Sequence, residues 1–294
     1  MLKRMLAMFG KGSAQVHLRL DQDSYAIGDE ITGQVVVQGG TVEQKINKIV
    51  VEFFLNVVND GRVYTKQIHR FAVADSFSMQ PGEEKTFPLK YQIPLKMLLS
   101  SSKVSYHFIT KLDIQSGKDD SHREVVSILA NKPLQNLFAA LEQLGFEETA
   151  ESRSFDGYLQ EFAFAPTSDF RDKLEELEFN IIIKEEGLLL LCELDCYAFL
   201  GEKEISRKCW IENVLLDDVE ALAKHLRQFI EETLQQYSSH IGDKRYLQHH
   251  HYQLAGAVGA IAYGLIALEL FDDDLIDDFE DESEESEDFF DDDD

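Results

Sequence analysis

Apolar and polar residues alternate along most of the first 130 residues of the chain. Val16, Leu18 and Leu20 alternate with polar neighbours, which is typical of a β-strand with one buried face. The same alternation recurs in segments 31–37, 49–57, 63–73, 87–93, 104–114 and 123–129. Turn residues separate the segments, and no helical spacing interrupts them. The pattern predicts an antiparallel β-sandwich over residues 14–130.

The second half of the chain combines helical and strand spacing. Apolar residues recur at helical spacing from Leu134 to Leu144, and Gly145 is typical of the residue after a helix. A second amphipathic helix is predicted from Asp217-Asp218 to about Tyr237. Strand patterns lie between the helices at 158–164, 174–183, 188–196 and 205–211. We therefore predict a second β-rich domain with two helices over residues 131–237, for which the pattern also allows a layered α+β fold.

Three further segments are predicted outside these two domains. Residues 1–13 are expected to form a short amphipathic N-terminal segment. Residues 238–270 combine a polar linker with an apolar helix that is rich in small residues. Residues 271–294 contain 16 acidic residues and no basic residue, so we expect a disordered acidic tail.

Charge and cysteine content narrow the classes of partner and compartment. The formal charge of the 294-residue chain is −27, and residues 1–270 contribute 39 acids and 28 bases to it, a net charge of −11. Such a field repels phosphate, which argues against a nucleic-acid partner. Three cysteines without a disulfide pattern, and no signal-peptide core at the N-terminus, indicate a cytoplasmic protein.

No pattern of residues indicates catalysis, a cofactor or a metal ion. The sequence lacks the motifs of serine hydrolases, zinc proteases and nucleotide-binding loops. Cys192 and Cys196 are predicted to pack in the core of a strand, and the adjacent histidines His249-His250-His251 are expected in a solvated linker. We therefore predict a protein that is not an enzyme, although catalytic groups assembled from distant positions stay open as an alternative.

Apolar residues in the C-terminal region are the candidate contacts with partners. Within the acidic tail, the predicted anchors for a protein partner are Ile276, Phe279, Phe289 and Phe290. Within the segment 254–268, residues 255–268 would span about 21 Å as a helix, which is shorter than the bilayer core of about 30 Å. This segment leaves three alternatives open: docking on the body, docking on a sister chain to give a homodimer, or weak contact with a membrane.

Several short motifs resemble a known family. Tyr25-Ala26-Ile27-Gly28-Asp29-Glu30-Ile31-Thr32-Gly33 is similar to the opening motif of arrestin-type domains, and Gln80-Pro81-Gly82 followed by Ile93-Pro94 is similar to a later one. With the segment Tyr158–Pro166, the order of these motifs resembles the sporulation-control protein M family of bacterial arrestin-like regulators. The resemblance covers roughly residues 14–215.

The resemblance implies a fold and a function. The fold class would be mainly β, with an arrestin-like antiparallel β-sandwich followed by a second β-rich domain, which the resemblance favours as a second sandwich. The function would be that of a non-enzymatic cytoplasmic regulator or scaffold that acts through protein–protein contacts. The alternative function is a membrane-peripheral adaptor that uses residues 1–9 and 254–268.

Overall fold

The structure is a computed structural model that describes residues 12–59, 61–155, 157–198 and 201–239. Several predictions fall outside these residues. They include the N-terminal amphipathic helix, the histidine triplet, the apolar helix at 254–268 and the acidic tail. Among the described residues, no helix is long and apolar enough to cross a bilayer.

Two sheets form the first half of the chain and pack face to face. One sheet has the strand order β1-β3-β7, and the other has the order β2-β9-β8-β4-β5 with β6 beside β4. Neighbouring strands are antiparallel, except that β2 and β9 are parallel. The bounds are β1 Gln15–Leu20, β2 Ser24–Ala26, β3 Glu30–Gln38, β4 Gln44–Asn59, β5 Arg62–Ala74, β6 Phe77–Met79, β7 Glu84–Gln92, β8 Val104–Ile114 and β9 Asp120–Leu129.

Alternating side chains of the two sheets fill one core. Phe53 on β4 and Phe108 on β8 stack with ring centroids 4.2 Å apart, and Tyr91 of the opposite sheet contacts Phe53 at 5.3 Å. Both phenylalanines are fully buried. This confirms the mainly-β fold class and the antiparallel sandwich at its start. The strands β2 and β6 were missed because three residues are too few to show a readable alternation.

One antiparallel sheet and three helices form the second half of the chain. The sheet has the order β10-β12-β13-β14-β15, and β11 pairs with β12. The strand bounds are β10 Phe146–Glu148, β11 Ser154–Phe155, β12 Gln160–Pro166, β13 Leu174–Ile183, β14 Gly187–Ala198 and β15 Gly201–Glu212. The helix bounds are α1 Lys132–Gln143, α2 Asn213–Leu216 and α3 Val219–Ser239. Within the described part of this half there is one sheet, so a layered α+β arrangement takes the place of a second sandwich.

The two long helices cover one face of this sheet. Asn131 caps α1 by accepting a hydrogen bond from the Leu134 amide, and Asp218 accepts two such bonds at the start of α3. Phe138 of α1 packs on Phe162 and Phe164 of β12, with ring centroids 5.4 and 5.9 Å apart. The apolar side chains of the strands therefore point toward α1 and α3. No element among the described residues covers the opposite face of the sheet.

A buried glutamine links the two halves. The side chain of Gln160, only 8% exposed, accepts a hydrogen bond from the Leu99 amide at 2.7 Å and donates one to the Leu99 carbonyl at 2.9 Å. Its amide also donates to the carbonyl of Arg153 at 3.2 Å. Nearby, Lys103 and Glu151 form an exposed ion pair, with Nζ of the lysine 2.6 Å from Oε2 of the glutamate. The side chain of Gln160 thus pairs with both backbone polar groups of Leu99, as the backbone of a neighbouring strand would.

Replacing this glutamine is expected to weaken the whole protein. The substitution Gln160→Ala leaves both backbone groups of Leu99 buried without a partner, which should lower the free energy of unfolding by about 1–3 kcal/mol. Urea unfolding measures this change, and hydrogen exchange at the Leu99 amide should become faster. Gln115→Ala, at an exposed position, is the matched control and should change stability by less than about 0.5 kcal/mol. Equal stability of the two variants would contradict the proposed link.

Candidate protein-interaction face

The sites predicted from the sequence fall into two groups. The proposed anchors Ile276, Phe279, Phe289 and Phe290 lie outside the described residues, so their role stays a prediction. The cysteines Cys192, Cys196 and Cys209 are described, and all three are free and buried. No group of three or more His, Cys, Asp or Glu residues that could hold a metal ion occurs within the described ranges.

The cysteines lie on the helix-covered face of the sheet. Burial raises the pKa of Cys192 well above its usual value, and it raises the pKa of Cys196 to about 11 and that of Cys209 to about 12. The thiolate is the reactive form of cysteine, so thiols with such high pKa values are poor nucleophiles at neutral pH. Their chemical role in this fold is apolar packing.

Two edges of the sandwich are blocked against pairing with another strand. On β1, the amides of Val16 and Leu18 donate to the side chains of Asp120 and His122, at 2.9 and 3.3 Å. These side chains occupy the outward amides that an added strand would use. On β7, Pro88 lies in the middle of the strand and has no amide hydrogen to donate.

The two longest remaining edges are also protected. The register of β5 on β4 shifts twice, between Ile49 and Val50 and between Phe53 and Phe54, and such bulges interrupt an edge. On β15, α3 runs beside the strand, and His225 places its Nε2 3.1 Å from the carbonyl oxygen of Trp210. With these edges protected, a sheet face is the candidate surface for contact with a protein partner, and it offers side chains rather than backbone groups.

The face of the second sheet opposite the helices is such a surface, and we call it the acidic face. Registers between neighbouring strands place every second residue of β12–β15 on it. Its members include Glu161, Glu176, Glu178, Asn180, Ile182, Leu189, Leu191, Glu193, Asp195, Tyr197, Glu204, Ser206, Lys208 and Trp210. Six of these side chains are carboxylates.

Like charges lie directly opposite each other on the acidic face. Glu178 is paired with Glu193, and Asp195 lies between Glu176 and Glu204 on its two neighbouring strands. Such like-charge pairs destabilise a sheet. Burial, followed by the charges of Glu161, Glu176, Asp195 and Glu193, raises the pKa of Glu178 to about 7.

Asp195 shows the same crowding. Burial, together with nearby carboxylates of which Glu204 acts most strongly, raises the pKa of Asp195 to about 6. Its Oδ1 atom is buried and has no hydrogen-bond partner among the residues that the structure describes. Burial and neighbouring carboxylates thus act together on Glu178 and Asp195 at the centre of the acidic face.

Aromatic and aliphatic side chains surround these carboxyl groups. Trp210, the single tryptophan of the chain, is 40% exposed, and Tyr197 is 53% exposed. Ile182, Leu189 and Trp210 form one row across three strands. A Cβ atom at Gly187 would lie 3.1 Å from Cζ2 of Trp210, so the absence of a side chain there lets the indole lie over β14.

The acidic face should make stability depend on pH. A carboxyl group whose pKa is about 7 when folded and about 4.5 when unfolded stabilises the protein when protonated, and this contribution is lost as pH rises from about 4.5 to 7. Because Glu178 is only half buried, solvent screening reduces its effect to on the order of 1 kcal/mol. Glu178→Gln should therefore gain stability over wild type at pH 8 but not at pH 4.5.

Urea unfolding at the two pH values measures this difference. The matched control is Glu142→Gln, because Glu142 is an exposed residue of α1, which lies on the opposite side of the sheet from the acidic face. The control should follow wild type at both pH values. A wild-type advantage over Glu178→Gln at pH 8 would contradict the proposed crowding of carboxylates.

Comparison with known proteins gives the family of the chain. The profile of the family described as "SpoOM protein" matches residues 2–198. The "Sporulation-control protein spo0M" of Bacillus subtilis (strain 168) is 32% identical over 259 residues, which cover 80% of this chain and 98% of that protein. The crystal structure of Spo0M from Bacillus subtilis matches with a TM-score of 0.59 and 31% identity, covering 76% of this chain and 99% of the other. The chain therefore belongs to the Spo0M family of sporulation-control proteins.

Proposed function

We propose that this chain is a non-enzymatic cytoplasmic regulator or scaffold that acts through protein–protein contacts, and that the acidic face binds its partner. The main support is the exposed Trp210 on a sheet face that no other described element covers. Tryptophan and tyrosine are enriched among the residues that contribute most to protein interfaces. The regulatory role is also in line with the name of the Bacillus subtilis relative, a sporulation-control protein.

The chemistry of the acidic face supports one class of partner. A partner that buried Glu178 and Asp195 without supplying positive charge would have to remove two more carboxylates from water, which is costly. Lys or Arg side chains would instead lower the free energy of the ionised carboxyl groups. Apolar side chains of the same partner could cover Trp210 and Leu189. We therefore expect a protein surface that carries both basic and apolar residues.

Affinity capture from the native host tests this function. The bait is the full chain. The variant Trp210→Ala should bind the partner about 30-fold more weakly, because it removes an anchor that contributes about 2 kcal/mol to binding. The matched control is Val214→Ala, because Val214 is 71% exposed but lies on α2, outside the acidic face. The control should retain the partner.

A second bait separates the acidic face from the tail. A chain that ends at Tyr237 lacks the predicted anchors Ile276, Phe279, Phe289 and Phe290, and it should still bind if the acidic face carries recognition. Retention of every partner by Trp210→Ala, together with their loss in the shortened chain, would reject the acidic face and favour the tail.

A further inference from the structure

A second sheet face that no other described element covers lies on the sandwich, and its charge is opposite to that of the acidic face. Registers place every second residue of β5, β4, β8 and β9 on the side that faces away from the core. We call this surface the basic face. Its members in the centre of the sheet are Glu52, Phe54, Arg70, His107, Ile109, Lys111, Arg123 and Val125.

Positive charge exceeds negative charge at the centre of the basic face. Glu52 is buried and lies between two cations, with Lys111 Nζ at 2.5 Å from Oε2 and Arg70 Nε at 4.0 Å from Oε1. Arg123 lies in the same cross-strand row as Glu52 and Arg70, with Ile109 between it and Glu52. Two basic side chains thus lie beside one carboxylate, and a third lies two strands away in the same row.

Apolar groups continue the basic face beside these charges. Val125 is 60% exposed and lies opposite His107, whose ring stacks on Phe54 at a centroid distance of 5.3 Å. Burial and the charge of Arg123 lower the pKa of His107, so this imidazole, which is only 5% exposed, is neutral at pH 7. Asn56 holds the ring in place, with its Nδ2 at 3.1 Å from Nδ1 of His107. The basic face therefore has the composition expected of a partner for the acidic face.

We propose that the acidic face of one molecule binds the basic face of a second copy of the same chain. Each face is a sheet surface that no other described element covers, with apolar side chains beside a cluster of charge, and the two clusters have opposite sign. Arg70 and Arg123 of one copy would bring positive charge close to Glu178 and Asp195 of the other copy. The inference rests on the acidic face of the proposed function and adds self-association to it.

The geometry of this contact determines the type of assembly. The two faces belong to different sheets in different halves of the chain, so the contact joins two different surfaces. Such a heterologous contact leaves an unused acidic face on one molecule and an unused basic face on the other, and both can bind further copies. The product is a head-to-tail series rather than a symmetric dimer. The net negative charge of the body opposes the contact at long range, so we expect weak binding that requires high protein concentration.

Charge-reversed variants test the proposal with full-length protein in sedimentation velocity experiments. The acidic-face variant is Glu178→Lys with Glu204→Lys, and the basic-face variant is Arg70→Glu with Arg123→Glu. At roughly 100 μM, wild type should show a sedimentation coefficient that rises with concentration, whereas each variant alone should remain monomeric. An equimolar mixture of the two variants should restore association, because the intact basic face of one variant can bind the intact acidic face of the other.

Single exposed substitutions keep the test valid if a double variant unfolds. Glu204→Lys and Arg123→Glu change exposed positions, and circular dichroism checks that each variant folds. Each should weaken the association of wild type by at least about tenfold. Glu142→Lys, on α1 and outside both faces, is the control and should associate as wild type does.

Several outcomes would overturn the proposal. It is wrong if wild type remains monomeric over the whole concentration range, if either double variant alone associates as wild type does, or if the mixture of folded variants stays monomeric. These results leave the proposed function untouched when Trp210→Ala still loses a captured partner. Conversely, self-association with unchanged capture by Trp210→Ala would retain this inference and reject the proposed role of the acidic face in binding other proteins.

Discussion

The structure of the second half depends on how a single sheet buries its apolar side chains. Strands with alternating side chains give the sheet one apolar face, and α1 and α3 cover that face with residues such as Phe138 and Leu226. Among the described elements, none is left to cover the other face. The residues of that face are therefore free to be selected for binding rather than for packing, and six carboxylates and the single tryptophan lie there.

The strands were predictable from the sequence because the apolar alternation that defines them is local. The acidic face was not, since Glu178 and Glu193 are separated by fifteen positions and meet only through the register of β13 on β14. That register follows from the turn at residues 184–187, where the Lys184 amide donates to the Gly187 carbonyl. Likewise, the layered fold could not be chosen over a second sandwich, because strand patterns alone do not show which element covers a face.

Edge protection explains why recognition should use side chains. An open edge offers backbone groups to any extended chain and therefore favours aggregation as much as specific binding. Three features remove much of this risk: Asp120 and His122 of β9 accept hydrogen bonds from the outward amides of β1, Pro88 interrupts β7, and bulges interrupt β5. With these edges blocked, the specificity of a contact must come from the pattern of charge and aromatic groups on a face, which can differ between related chains without a change of fold.

The crowding of carboxylates also bears on why the acidic face exists. A sheet that places Glu178 opposite Glu193, and Asp195 opposite both Glu176 and Glu204, is less stable at neutral pH than one with polar uncharged residues at these positions. Proteins tend to retain such local conflicts where binding compensates for them. The basic partner surface proposed above would provide this compensation, because each cation that approached the face would lower the free energy of several carboxylates at once. The tail sequence, with 16 acids and no base, carries charge of the same sign and would favour the same class of partner.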